Sequence, residues 1–178
     1  MIGDTLIRIV SCSSRYSTRL NSSSNFKHSH SLQVFLVMAL FVLISYKPAH
    51  GFCWEEASER YNVPIPLLKA IAEVESDFDP YAKEILKETE SVGLMQINSF
   101  WLEILKTYGI TQKQLYEPCI NINIGAWILS MEIERYGLTW QAVGAYNAGA
   151  YTNNNKERKL VLYRRYAEKV LGRLGKYM

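Results

Sequence analysis

The stretch from Ile120 to Tyr136 constrains the fold of this chain more than any other. Ile122, Ile124, Ala126, Trp127, Ile128, Leu129, Met131 and Ile133 leave it almost no polar face. A helix that is apolar nearly all round must be enclosed by other elements. This segment is therefore expected at the centre of a helical domain, closed by Gly137. Its surroundings also read as helices. Trp54 to Tyr61 forms one, ended by Asn62, and Pro64 and Pro66 open a second that runs to about Ser76, since proline suits a first turn. Asn98 or Ser99 can cap a third through Tyr108, with Gly109 as its stop. Thr111 to Tyr116 suggests a short helical turn, Trp140 to Asn147 another helix, and Arg158 to Leu174 a final basic one. Tyr81 to Val92 carries no helical stripe and reads as a loop or irregular hairpin. With no run of alternating strand residues and no internal repeat, the class is mainly α.

The first fifty-one residues read differently from this domain. They are Ser-rich and basic, with Asp4 as their single acid, and they contain the apolar run Val34 to Ile44. Eleven residues of helix reach about 16 Å, well short of the roughly 30 Å core of a bilayer. A basic start, a short apolar stretch and the small residues Ala49 and Gly51 fit a secretory leader cleaved after Gly51. The alternative is an uncleaved anchor stretched over Leu32 to Tyr46. The expected organisation is a leader over 1–51 and one domain over 52–178.

Removing the leader changes what the composition allows. Residues 52–178 hold 15 Lys and Arg against 16 Asp and Glu, so no strongly basic domain argues for nucleic acid. His28, His30 and His50 all fall in the leader. Without an imidazole the domain cannot run Ser-His-Asp or Cys-His nucleophile chemistry, nor hold a metal through histidine. Acid–base work is left to Asp, Glu, Lys or Tyr. Cys12 also belongs to the leader, leaving Cys53 and Cys119, which in an exported chain read as one disulfide; two buried free thiols are the alternative. Closing such a loop is worth at most roughly 4 kcal/mol in the chain-entropy picture. Eight basic residues between Lys156 and Lys176 face only Glu157 and Glu168. They read as a solvated helix face, with attraction to an anionic cell wall as the other possibility.

One acidic residue is out of place. Turning about 100° per residue from Leu67 sets Ile71, Val74 and Phe78 within about 40° of it and Leu68 near 100°. Glu75 falls near 80°, inside this apolar arc, whereas Glu73 and Asp77 fall near 240° and 280°, on the solvent side. An apolar setting penalises the ionised carboxylate and raises its pKa. A Glu that keeps its proton near neutrality is what protonation of a glycosidic oxygen requires. A buried Glu paired with Lys or Arg, or one reaching water, fits the same pattern.

Three motifs surround this residue in order: Ala70 to Ser76 (AIAEVES), Gly93 to Asn98 (GLMQIN) and Ala145 to Gly149 (AYNAG). Together they resemble the lytic transglycosylase family, in particular its small exported members associated with type III secretion, conjugation and pilus machines. The likeness runs from about Cys53 to about Val170. It implies a lysozyme-like fold, a peptidoglycan substrate, a monomer in the periplasm or secreted, no cofactor or metal, and a partner among secretion or pilus components. It makes Glu75 the single catalytic acid and then base. Met95 and Gln96 would line the cleft, and Tyr146 and Asn147 would support the carboxyl and contact sugar. Tyr166 would lie close to Glu75. Ser76 and Ser91 complete the set of substrate-side candidates.

One position departs from the family pattern. Its small members and c-type lysozymes place an Asp two residues before the glycine that is Gly93 here, and this chain has Ser91, preceded by Glu90. A second cleft carboxylate is therefore expected only if Glu90 turns inward, and a solvated Glu90 is the simpler expectation. Two other readings stay open at this level: a lysozyme-type hydrolase on the same fold, and a glycan-binding module without catalysis. Trp101, Trp127 and Trp140 could stack on sugar, though Trp127 at its helical spacing reads as core.

Overall fold

The computed structural model describes residues 52–86, 88–149 and 153–178; the expected leader and its cleavage point lie outside them. The chain opens with α1, Trp54–Tyr61, whose last turn is closed by Asn62 in the left-handed region at φ 52°. Pro64 and Pro66 then start α2, Ile65–Ser76, which buries Leu67, Leu68, Ala70, Ile71 and Ala72. It ends at Asp77, again left-handed at φ 53°.

A small antiparallel sheet follows: β1 Lys83–Leu86, β2 Thr89–Val92 and β3 Ile97–Asn98, in that order. Of the two readings of Tyr81 to Val92, loop or irregular hairpin, the structure shows the hairpin. Every residue of β1 is exposed, so the strand has no inward face and shows none of the alternation by which strands are found in sequence. Its register pairs Lys83 with Val92, Glu84 with Ser91, Ile85 with Glu90 and Leu86 with Thr89.

The third expected helix is split. Asn98 accepts a hydrogen bond from the Phe100 amide and caps a 3₁₀ turn, Ser99–Trp101, which runs into α3, Leu102–Thr107. A second 3₁₀ turn, Gln112–Tyr116, begins with a reciprocal cap between Thr111 and Gln114. Then comes α4, Pro118–Tyr136, the apolar helix, which buries Ile122, Ile124, Ala126, Trp127 and Leu129 at the centre of the domain. Two short elements complete the chain: α5, Trp140–Ala148, and a 3₁₀ turn at Asn153–Asn155. The last helix, α6, Lys156–Leu174, buries only Tyr163, Tyr166, Ala167 and Val170, the spacing of one helical stripe. It lies so close to α5 that a Cβ at Gly144 would meet Tyr163 at 2.2 Å.

Cys53 and Cys119 are joined in a disulfide with Cα atoms 5.1 Å apart, tying the start of α1 to the first turn of α4. Trp127 is 5% exposed and sits in the core with Trp101 edge-on at 5.4 Å. Among the described residues no helix is long and apolar enough to cross a membrane.

Candidate active site

The three motifs meet around one stretch of backbone, residues 93–96. Gly93 has φ 79°, and a Cβ there would sit 2.6 Å from the Leu115 carbonyl oxygen, so only glycine fits. Asn121, fully buried in the apolar helix, accepts from the Met95 amide at 2.7 Å and donates to the carbonyls of Val92 (2.9 Å) and Leu115 (2.7 Å). Ser76, at the end of α2, donates to the Leu94 carbonyl at 2.8 Å. Tyr146, on α5, donates to the Met95 carbonyl at 2.7 Å. Gln96 takes a left-handed φ of 46°, and its side-chain amide donates to Gly93 at 2.9 Å and Ala82 at 3.2 Å. Each backbone group held this way would be costly to leave unpaired. The loop is thus a fixed shelf beside α2.

Glu75 projects from α2 next to that shelf. The Tyr166 hydroxyl, from α6, donates to its Oε1 at 2.6 Å. Burial pushes the Glu75 carboxyl up to about 7, against the opposing hydrogen bond from Tyr166. Glu84 adds to the upward push, while an Asn147 hydrogen bond and the Lys169 charge act downward. Burial outweighs the hydrogen bonds, so a large fraction of Glu75 keeps its proton near neutral pH. The Tyr146 and Tyr166 phenols are both held well above their usual value, first by burial and then by the Glu75 charge. They remain donors throughout the working range.

A cleft passes Glu75 in two lobes. One, about 680 Å³, is bordered by Leu162, Arg165 and Lys169 of α6 and by Lys83 and Ile85 of β1. The other, about 510 Å³, is bordered by Phe100, Trp101, Tyr146, Ser91 and the Glu132–Arg135 pair. Glu75, Glu84, Gln96 and Asn147 border both lobes and form the waist between them. A chain of sugar rings threaded through the two lobes would carry one linkage past Glu75.

Of the residues expected at the site, Glu75, Gln96, Asn147 and Tyr166 are brought together, with Tyr146 and Ser91 along the second lobe. Met95 is not on the cleft. It is fully buried, packed where a Cβ on Gly125 would meet its sulfur at 2.5 Å, and its carbonyl rather than its side chain serves the site. Ser76 likewise turns away from the lobes and braces the shelf. Glu90 does not turn inward: it pairs with Lys83 at 2.6 Å. The basic tail is only partly a solvated face, because Arg165 and Lys169 line the cleft. Two residues escaped sequence reasoning. Asn121 left a signal, one of three polar side chains buried in the mostly apolar α4, with Asn123 and Glu132. Glu84 left none, since its place at the waist depends on strand pairing.

A helical domain with a small three-stranded sheet and a half-buried carboxylate, raised to about 7, at the waist of an open cleft defines a lysozyme-like transglycosylase fold. The chain belongs to the Transglycosylase SLT domain family, the peptidoglycan lytic transglycosylases, which matches residues 52–162. It is 40% identical over 134 residues to Protein IpgF of Shigella sonnei, covering 71% of this chain and 88% of that one. It is also 40% identical over 141 residues to Invasion protein IagB of Salmonella typhi, covering 78% and 84%. Among solved structures it resembles the lytic transglycosylase Slt of Pseudomonas aeruginosa, as an inactive mutant, with TM-score 0.56 and 22% identity over 82% of this chain and 28% of that one. The 70-kDa soluble lytic transglycosylase in complex with bulgecin A gives TM-score 0.58 and 24% identity over 83% and 27%. The chain spans little more than a quarter of those two proteins, and at these identities the likeness is one of fold.

Proposed function

We propose that Glu75 is the sole general acid and base of this transglycosylase, and that it cleaves the bond between N-acetylmuramic acid and N-acetylglucosamine with formation of a 1,6-anhydro ring. The observation that carries this reading is the Glu75 carboxyl itself: buried at the waist of the cleft, raised to about 7, and hydrogen-bonded by Tyr166 on one oxygen. Tyr166 and Asn147 hold the carboxyl, which gives its proton to the linkage oxygen. As that proton transfers, the bond from the muramyl C1 to the oxygen breaks and the N-acetylglucosamine leaves as an alcohol. The 2-acetamido oxygen stabilises the cationic C1. Glu75, now a carboxylate, removes the proton from the muramyl 6-hydroxyl as O6 bonds to C1, and so returns to its starting state. Water is not consumed and no redox change occurs, so the chain needs no nucleophile of its own. A second carboxylate serves glycosidases as nucleophile or as base for water, and this route requires neither.

Around that acid, Asn147 and Tyr166 orient the carboxyl, and Gln96 and Ser91 contact the sugar at and beside the waist. Tyr146 fixes the shelf and borders the second lobe. The exported setting is supported by the expected leader, by the resemblance to small members that serve secretion and conjugation machines, and by the likeness to the Invasion protein IagB. In that setting the enzyme opens the wall locally for such a machine.

Digestion of purified sacculi with wild type and Glu75→Gln, followed by mass spectrometry, tests the reading. Anhydro-muramyl ends from wild type and none from Glu75→Gln are expected. Products one water heavier would identify a lysozyme-type hydrolase instead, and unchanged glycan with retained binding would identify a non-catalytic module.

A further inference from the structure

Glu84 belongs to none of the three motifs and has no part in the chemistry above, yet it borders both lobes of the cleft. Its place is set by strand register: Glu84 of β1 lies directly opposite Ser91 of β2. Side chains opposite each other in an antiparallel pair share one face of the sheet, and Ser91 also borders the cleft. Among the described residues, Glu75 and Glu84 are the two carboxylates common to both lobes. They approach the waist from different elements, one from a buried helix face and the other from a strand that is exposed along its whole length.

The other charged groups nearby are mostly occupied. Lys83, on the same strand, is held by Glu90 at 2.6 Å. Arg135 and Glu132, from α4, pair with each other at 3.1 Å in the second lobe. Arg165 and Lys169 border the first lobe from α6. From α5 the waist receives Asn147 and the second lobe Tyr146, neither of them a charged group at neutral pH.

We propose that Glu84 is a positioning residue for the transglycosylase reaction, a negative charge at the waist of the cleft that acts through Glu75 by opposing the early loss of its proton. This rests on Glu75 being the acid. Two carboxylates at one site resist ionising together. Glu84 stands on a strand exposed along its length, so desolvation bears on Glu75. The direction of the Glu84 effect on Glu75 agrees, being upward. Lys169 pulls the other way, so the acid is poised between a negative group on the hairpin and a positive one on the last helix.

The test is a titration of the full-length, oxidised protein carrying ¹³C-carboxyl glutamate, read by NMR, beside the pH profile of kcat/KM on purified peptidoglycan. Four forms are compared: wild type, Glu84→Gln, Glu84→Asp and the double variant Glu84→Gln with Ser91→Asp. In Glu84→Gln the Glu75 midpoint moves down, the alkaline limb of activity moves with it, and turnover at pH 8 relative to pH 5.5 falls on the order of threefold. The shift shrinks with added salt, as an interaction across solvent must. Glu84→Asp stays near wild type. Ser91→Asp, which returns a carboxylate to the same face of the sheet, restores the limb in the double variant. A midpoint and limb unmoved by Glu84→Gln, a shift indifferent to salt, or failure of Ser91→Asp to restore it would each overturn the proposal. Activity retained by Glu75→Gln would remove the acid assignment itself, a failure distinguishable because the NMR shift could still be present.

Discussion

Glu73 and Glu75 leave the same helix two positions apart and meet opposite surroundings. Glu75 points toward the cleft, where burial holds its proton on and Tyr166 is its nearest donor. Glu73 points toward the end of the chain. Lys176 and the Tyr177 hydroxyl (2.6 Å) hydrogen-bond it, and Arg173 pairs with it at 3.1 Å. These donors hold the Glu73 carboxyl below its usual value, Lys176 first and Tyr177 second. The difference is one of supply: Glu73 is surrounded by cations, whereas Glu75 is given neutral donors and a negative neighbour. One helix thus carries a carboxylate held toward its charged form by cations and another raised toward its neutral form by burial, the state the proposed chemistry requires.

Substitutions can break this contrast, beginning with the strongest. Glu75→Gln keeps the shape and removes the proton donor, so turnover of peptidoglycan should fall roughly 10³-fold or more while the circular dichroism spectrum is retained. Tyr166→Phe should cost on the order of tenfold in kcat. Because Tyr166 stabilises the ionised form, its loss also moves the alkaline limb of the pH profile upward. A limb that moves downward would mean Tyr166 supports the neutral acid instead.

Stability measurements sharpen the same comparison with smaller effects. Glu73 has a lowered carboxyl in the folded state. Its stabilisation is therefore present above the unfolded value and lost as pH falls through the folded one. Glu73→Gln should lower the melting temperature at pH 7, with the gap to wild type closing under acid and turnover at 25 °C unchanged. Glu75 runs the other way. Its folded value of about 7 lies above the unfolded one, so wild type loses stability as pH rises from the unfolded value to the folded one. Glu75→Gln should match wild type near pH 4 and melt higher at pH 8, by roughly 7 °C or more where the whole shift is expressed. Parallel melting curves for the two variants across pH would erase the contrast.

The helices are legible because each carries local signals: Pro64 and Pro66 at a start, Asn62 and Gly137 at stops, and the mostly apolar run of Ile122 to Ile133. The misplaced acid is legible too, since about two helical turns put Glu75 on the face of Leu67, Leu68 and Ile71. What stayed hidden depends on distant pairings. The segment KEIL of β1 buries nothing and acquires its conformation only by pairing with β2. Glu73 looked solvated because a helical wheel knows nothing of Arg173 and Lys176 arriving from a hundred residues away. Met95 was placed on the cleft by motif likeness, but the side chain fills a space over Gly125 that only the packed α4 creates.

The disulfide divides the active site unequally. The loop it closes contains Glu75, the hairpin and Gln96, while Tyr146, Asn147 and Tyr166 lie in the chain that follows Cys119. The acid therefore lies inside the covalent loop, while Tyr146 and Asn147 on α5 and Tyr166 on α6 are held to it by packing and hydrogen bonds alone. Warming that loosens α5 and α6 should disarm the enzyme while the stapled part of the molecule is still folded, so inactivation should run ahead of the melting curve and reverse on cooling.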